Sequence, residues 1–295
     1  MPAKTNTNTT QNMSQVQARE VDFVTRFGAN WDALRNILGI MRPIRKAPGT
    51  KLVSYKAEIP TLAVSPAEGE EIPYSLPTFT PAATQDVTIE KYATGTTIEA
   101  VAKYGADVAV EKTDDAFLTK LQKIVTDRFY AFLATGELTP EEAPATFQAA
   151  IAEAIGSVVN KFQSMDKDVT RIVVFVNTRD YFKYLGTADI TIQNERGIRY
   201  IEDFMGADTI ILTDKVAQGK VIATPVENID LYYVDPSDSE FARLGLDFTV
   251  EGETNLIGFH AEGNYSTAVG EVYALMGMAL FAEYIDGIAV VTFGE

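Results

Sequence analysis

The chain is 295 residues long, 46% apolar and 10% aromatic, enough to bury a sizeable core and too much for a disordered protein. It has no cysteine, which excludes disulfides and thiolate chemistry, and its single histidine, His260, argues against a His-rich metal site or a His-based triad within one chain. A net charge of −16 argues against a general nucleic-acid binder, and no apolar run approaches the ~20 residues of a membrane span.

The charge is uneven. Residues 1–50 hold Lys4, Arg19, Arg26, Arg35, Arg42, Arg45 and Lys46 against Glu20, Asp22 and Asp32, so the start of the chain is basic and the remainder strongly acidic. Either this is ordinary solvated charge, or a basic arm lies on an acidic surface of a neighbour.

In chain order, residues 1–15 are rich in Thr, Asn and Gln and offer little to bury. No basic-plus-apolar targeting signal is present there. From Ala18 to Ile40 the apolar spacing predicts a helix bent near Gly28, with Trp31 as a packing anchor and Gly39 and Pro43 as its stop. Lys51–Ile59 and Asp86–Tyr92 alternate as strands. Between them Pro60, Pro66, Pro73, Pro77 and Pro81 exclude a helix and a central sheet strand. The reading is a long two-stranded hairpin with an irregular tip at Ala67–Pro73. Such a hairpin is marginal alone in water, so its many apolar side chains require a partner surface, and folding and oligomerisation are expected to be linked.

Thr96 and Glu99 have capping-box spacing for a short helix that stops at Gly105. Thr113–Gly136 is a long amphipathic helix of about 30 Å, with Thr113 as N-cap, Asp114 and Asp115 in its first turn and Gly136 as a left-handed terminator. Thr146–Phe162 is a second amphipathic helix. Arg171–Val176 reads as a buried strand, followed by a helix capped by Asn177 or Thr178 and running through Leu185. Thr209–Leu212, Lys220–Ala223 and Ile229–Val234 follow as strands. Leu246–Val250, Leu256–His260, Glu271–Phe281 and Gly287–Phe293 read as strands of a second, β-rich unit.

Chemistry is scarce. There is no phosphate loop, no dinucleotide fingerprint, no nucleophile elbow and no zinc-protease motif. The acidic clusters Glu68/Glu70/Glu71, Glu141/Glu142 and Asp235/Asp238/Glu240 could serve glycoside hydrolysis or hold a hard cation, but solvated surface charge explains each better. His260 reads as a satisfied structural residue. No cofactor, metal or catalytic residue is expected.

Several stretches resemble the major capsid proteins of tailed bacteriophages of Gram-positive hosts, which have the Hong Kong 97 capsid fold. The tip AEGEEIP (Ala67–Pro73) is similar to that family's extended loop. Lys103-Tyr104-Gly105, Lys112 to Asp115 and Phe132 to Gly136 resemble the approach to its spine helix and the helix itself. LFAEYIDGIAVVTF (Leu280–Phe293) resembles its closing strands. The order of these stretches is the specific part of the likeness.

The resemblance implies an α+β Hong Kong 97-type fold in five parts: an N-terminal arm (1–49), an extended loop (50–94), a peripheral domain with the spine helix (95–136), a mixed α/β axial domain (137–240) and a return to the peripheral domain (241–295). It implies a structural protein and not an enzyme. Its copies would form pentamers and hexamers of an icosahedral virion capsid, assembled in the host bacterial cytoplasm around double-stranded DNA held without sequence-specific contacts. It further implies a separate scaffolding protein, a portal and no membrane. Because the loop tip has no lysine, no covalent cross-link is expected. The residues put at inter-subunit contacts are Glu68, Glu70 and Glu71 of the tip, Arg42, Arg45 and Lys46 of the arm, and Trp31. An encapsulin-type compartment shell or another virion structural protein remains the alternative.

Overall fold

In the computed structural model the described residues are 19–27, 44–47, 49–58, 76–185, 193–195, 198–204, 206–250 and 255–294. Residues 19–27 form the helix α1. A short strand β1 (Ile44–Arg45) leads into the hairpin β2 (Lys51–Glu58) and β3 (Thr78–Asp86), and β4 (Glu90–Thr97) follows. Two helices, α2 (Ile98–Tyr104) and α3 (Ala106–Leu133), come next, then α4 (Phe147–Ser164), β5 (Ile172–Asn177) and α5 (Thr178–Leu185). Strands β6 (Gln193–Glu195), β7 (Ile198–Phe204), β8 (Ala207–Thr213), β9 (Lys220–Pro225) and β10 (Ile229–Tyr233) precede the short α6 (Ser239–Ala242). The chain closes with β11 (Ile257–Asn264), β12 (Val269–Met276), β13 (Met278–Ala282) and β14 (Ala289–Thr292). The class is α+β.

A six-stranded sheet runs in the order β14-β9-β5-β8-β7-β6 and is mixed, with β5 and β8 parallel and the other pairs antiparallel. Every residue of β5 is buried because both faces of the sheet are covered. The period-2 alternation sorts them. Ile172, Val174 and Val176 pack with Ile151, Ala154 and Val158 of α4, whereas Val173 and Phe175 join the core built on α3. The β8 and β9 strands divide the same way, Ile211 and Ile222 going to the α3 side. This sheet is therefore the wall between two buried clusters. A three-stranded antiparallel sheet, β11-β12-β4, and the small sheet β1-β10-β13 lie on the α3 side.

The long helix has 28 residues, about 42 Å at ~1.5 Å per residue, and starts seven residues before the predicted Thr113. Thr113 lies inside it, and its hydroxyl donates to the Ala109 carbonyl at 2.8 Å. The break from α2 is made at Gly105, whose φ of 86° a side chain would disfavour. The cap of α2 is Thr97, whose hydroxyl accepts from the Ala100 N–H at 3.2 Å, one residue later than the capping box suggested. Gly136 does not terminate α3 in a left-handed conformation. It is glycine for space, since an added Cβ would stand 2.6 Å from the Ile288 carbonyl oxygen. That contact sits where the chain passes between the two cores, and Leu138 N–H donates to Ile288 there at 3.1 Å.

The hairpin is present, but its return strand is Thr78–Asp86 and not Asp86–Tyr92. Pro81 is tolerated because the sheet has only two strands and each is an edge; the register shifts at this point, Ser54 facing Ala83 and Tyr55 facing Pro81. The second alternating run belongs to β4, which pairs with β12. Leu246–Val250 is not a strand and makes only an isolated bridge, Thr249 to Phe259. The run Glu271–Phe281 is broken at Gly277, where the Val234 side chain leaves little room for a Cβ and the Val234 N–H donates to the Gly277 carbonyl at 2.8 Å. Strands β6 and β7 were not foreseen.

Candidate interaction surface

The arm segment α1 lies on its own subunit. Phe23, Val24 and Phe27 are buried in the α3 core, and the Phe23 ring stacks on Phe259 of β11 at 3.9 Å between centroids. Charge fixes its edge. The Arg19 guanidinium makes a fork of two 2.5 Å bonds to Asp114, and Arg26 bonds Asp115 at 2.5 Å. The bond to Asp115 raises the pKa of Arg26 further above its ordinary value. The two aspartates thus hold the arm in register along α3, rather than serving the dipole of a first turn. Glu20 ties α1 to the sheet on the other side. Its carboxylate accepts from the Ala261 N–H and the Thr249 hydroxyl, both at 2.6 Å, and Oε1 lies 3.5 Å from Nδ1 of the half-exposed His260. His260 is therefore a neighbour of the arm joint.

The connector into the hairpin is also fastened. Lys46 N–H donates to the Tyr233 carbonyl at 2.8 Å, and its ammonium stands 5.3 Å from the centroid of the Tyr232 ring. Arg45 reaches Asp235 at 3.2 Å and Asp238 at 3.0 Å. Asp235 is buried and fully occupied, accepting also from the Ser237 N–H and hydroxyl and from Asn255. The Asp238 carboxyl is held below its ordinary pKa by the Glu240 N–H and then by Arg45. This acidic cluster is structural wiring for β1. Beyond that point the hairpin touches the body at its base, through Leu52, Val87, Val234 and Ala279. At the start of β3, Leu76 and Phe79 stand 78% and 64% exposed.

Of the residues put at inter-subunit contacts by sequence, Arg45 and Lys46 are seen in these intramolecular contacts. Trp31, Arg42, Glu68, Glu70 and Glu71 lie outside the described residues. The roles of Glu20, Asp114 and Asp115 were not legible. Arg19 and Arg26 stand two helical turns apart on one face, which is a signal that α1 carries an ionic edge, but nothing in the spacing points to partners 95 and 89 residues away. Among the described residues no group of three His, Asp or Glu side chains could hold a metal ion, and no helix is long and apolar enough to cross a membrane.

A shallow apolar groove of about 400 Å³ lies between α2, the start of α3 and the β11–β12 hairpin. Ile98 and Tyr265 on its margin are exposed, and the Thr96 hydroxyl is buried within its wall with no hydrogen-bond partner among the described residues.

No protein-family profile matches the sequence, and no curated protein matches it. Solved structures do match the fold. The cyanophage A-1(L) capsid asymmetric unit is similar at a TM-score of 0.55 and 9% identity, over 87% of this chain and 91% of that one. A chain from Mycobacterium phage Che8 is similar at 0.54 and 12% identity, over 84% and 86%. The encapsulin of the holo-SrpI complex from Synechococcus elongatus PCC 7942 is similar at 0.50 and 9% identity, over 88% and 86%. At these identities the likeness establishes a shared fold, found in phage capsid and encapsulin shell chains.

Proposed function

We propose that this chain is the major capsid protein of a tailed bacteriophage, a structural protein whose copies build a closed shell. The observation that carries the reading is the capsid-type fold running over nearly the whole chain, combined with a hairpin that projects exposed apolar side chains from a body it touches at the base. Isolated two-stranded hairpins are marginal in water, so a neighbouring copy is the natural cover. In the Hong Kong 97 scheme the parts are an arm (1–49), an extended loop (50–94), a peripheral domain with the long helix (95–136), an axial domain (137–240) and the return to the peripheral domain (241–295). Copies form pentamers and hexamers through the axial domain. The net-acidic shell encloses double-stranded DNA by confinement, without gripping it. A scaffolding protein and a portal are the partners this scheme requires, and assembly takes place in the host cytoplasm. The encapsulin likeness supports a second reading, a bacterial compartment shell, which an enzyme cargo in place of DNA would identify.

Electron microscopy of the purified recombinant chain, with light scattering on the same sample, tests the reading. Closed shells or capsomer-sized rings are the expected result; a compact monomer that protects its hairpin from protease would overturn it. The charge split adds a prediction. We propose that the tip residues Glu68, Glu70 and Glu71 face basic arm residues such as Arg42, Arg45 and Lys46 on neighbours, the last two in addition to their contacts with Asp235, Asp238 and Tyr232 of their own subunit, with Trp31 as an apolar anchor of the arm. Exposed pairs contribute only ~0–1 kcal/mol each. Repeated over a shell they still bias register, so reversing all three glutamates to lysine is expected to abolish or misdirect assembly. Shells of normal size and yield from that variant, imaged by the same method, would refute the pairing.

A further inference from the structure

The seat of α1 runs along β11 toward the turn into β12. Phe23 stacks on Phe259, and about one turn earlier Glu20 accepts from the Ala261 N–H, so moving toward the start of α1 moves along β11 toward Gly263. At Gly263 the seat becomes the groove described above, whose lining includes Arg19, the first described residue of α1. Its floor is bare. Thr96 pairs with Gly270 and Gly270 with Gly263, so this row across β4, β12 and β11 carries nothing larger than threonine. An added Cβ at Gly263 would meet nothing within 4 Å, and one at Gly270 only the Thr96 carbonyl at 3.8 Å. Glycine in a strand interior commonly marks the close approach of another segment. Ile98, Val101, Val110 and Val269 are the apolar walls, and the buried Thr96 hydroxyl has no partner among the described residues, which is costly unless something else supplies one.

We infer that the groove is the seat of the residues just before Arg19 of the same chain, with Val16 on the glycine row. α1 buries Glu20, Phe23, Val24 and Phe27, and the same stripe continued backward at helical spacing reaches Val16 and then Met13. One helical turn is about 5.4 Å, and Gly263 lies two strand residues beyond Ala261, about 6.6 Å at ~3.3 Å each. One further turn at the start of α1 therefore brings Val16 over Gly263, where the missing side chains leave room for it. Gln15 and Gln17 flank Val16, and an amide of either can complete the Thr96 hydroxyl. The contact lies within one chain and does not rest on the shell reading. It fastens the start of the arm to its own subunit and takes an apolar groove out of the surface offered to other molecules.

The absence of cysteine gives a clean test. The full chain carrying Val16→Cys and Gly263→Cys is oxidised mildly, run on a non-reducing denaturing gel and mapped by mass spectrometry. A monomer closed by a disulfide between positions 16 and 263 is expected. Covalent multimers would put the segment of another copy in the groove and overturn the inference, and so would a monomer that keeps both thiols. A second readout leaves the glycine row untouched. Ile98 stands 58% exposed at the groove margin, where the seated segment shields it from reagents. A maleimide is expected to label Ile98→Cys about tenfold faster when Val16→Asp is also present, because the charge unseats the segment. Equal rates in the two backgrounds sink the inference. Both readouts are taken within one chain, so their failure leaves the shell reading standing, and a failure to form shells leaves this contact standing.

Discussion

Phe129→Ala is expected to lower the unfolding free energy of the unassembled chain by about 3–5 kcal/mol, the usual range for emptying a fully buried aromatic site. Phe129 has no exposed surface and sits on α3 with its ring edge-on to Phe175 of β5 at 5.6 Å, and Tyr130 meets the same ring at 5.7 Å. It is therefore the point at which the long helix grips the six-stranded sheet. Neighbours on β5 and β8 are held by two covered faces, so the hole cannot collapse and the cavity adds to the lost transfer energy. Urea unfolding followed by circular dichroism measures the effect. A loss below about 1 kcal/mol would mean that the helix and the sheet are not joined through this residue. Phe129→Leu, which keeps most of the volume, should recover more than half of the loss.

Glu20→Ala is the second large change, and it tests the arm. Removing the carboxylate strands the Ala261 N–H, which is buried, and frees the Thr249 hydroxyl. An orphaned buried donor costs ~1–3 kcal/mol, more where the lost acceptor was charged. Hydrogen exchange at the Ala261 amide should accelerate, and protease should cut within α1. Glu20→Gln is expected to be milder, because the amide oxygen can still accept from Ala261 and the Thr249 hydroxyl can accept from the amide nitrogen. Equal exchange rates in the alanine variant and the natural chain would show that α1 is held by Phe23, Val24, Phe27 and the arginine pairs without help from Glu20.

Both changes act where segments distant in the chain meet, and that is also where sequence reading stopped. The continuous run Ile172–Val176 announced a strand covered on both faces, since no alternation survives when neither face meets water. The apolar spacing of α4 gave that helix nearly to the residue, and the structure adds Thr146 as its N-cap. The proline-rich span gave a hairpin at an edge. The start of α3 was misplaced because Ala106–Glu111 is short of large apolar residues, and a cap-like threonine at 113 looked like the better beginning. The alternating run at residues 86–92 was assigned to the wrong partner because period 2 gives a strand its faces but does not name its neighbour.

What the sequence by itself determined was local: where most helices and strands lie, that the proline-rich span belongs to a hairpin, and that a catalytic fingerprint was lacking. These follow from backbone propensity, periodicity and composition, which each stretch carries regardless of the rest. What only the tertiary structure decided was pairing over distance. Arg19 meets Asp114, 95 positions on, and Glu20 reaches Ala261, 241 positions on. Those residues are separated by tens to hundreds of positions, and a side chain's type sets what it can bond while only the packed fold sets what stands within reach of it.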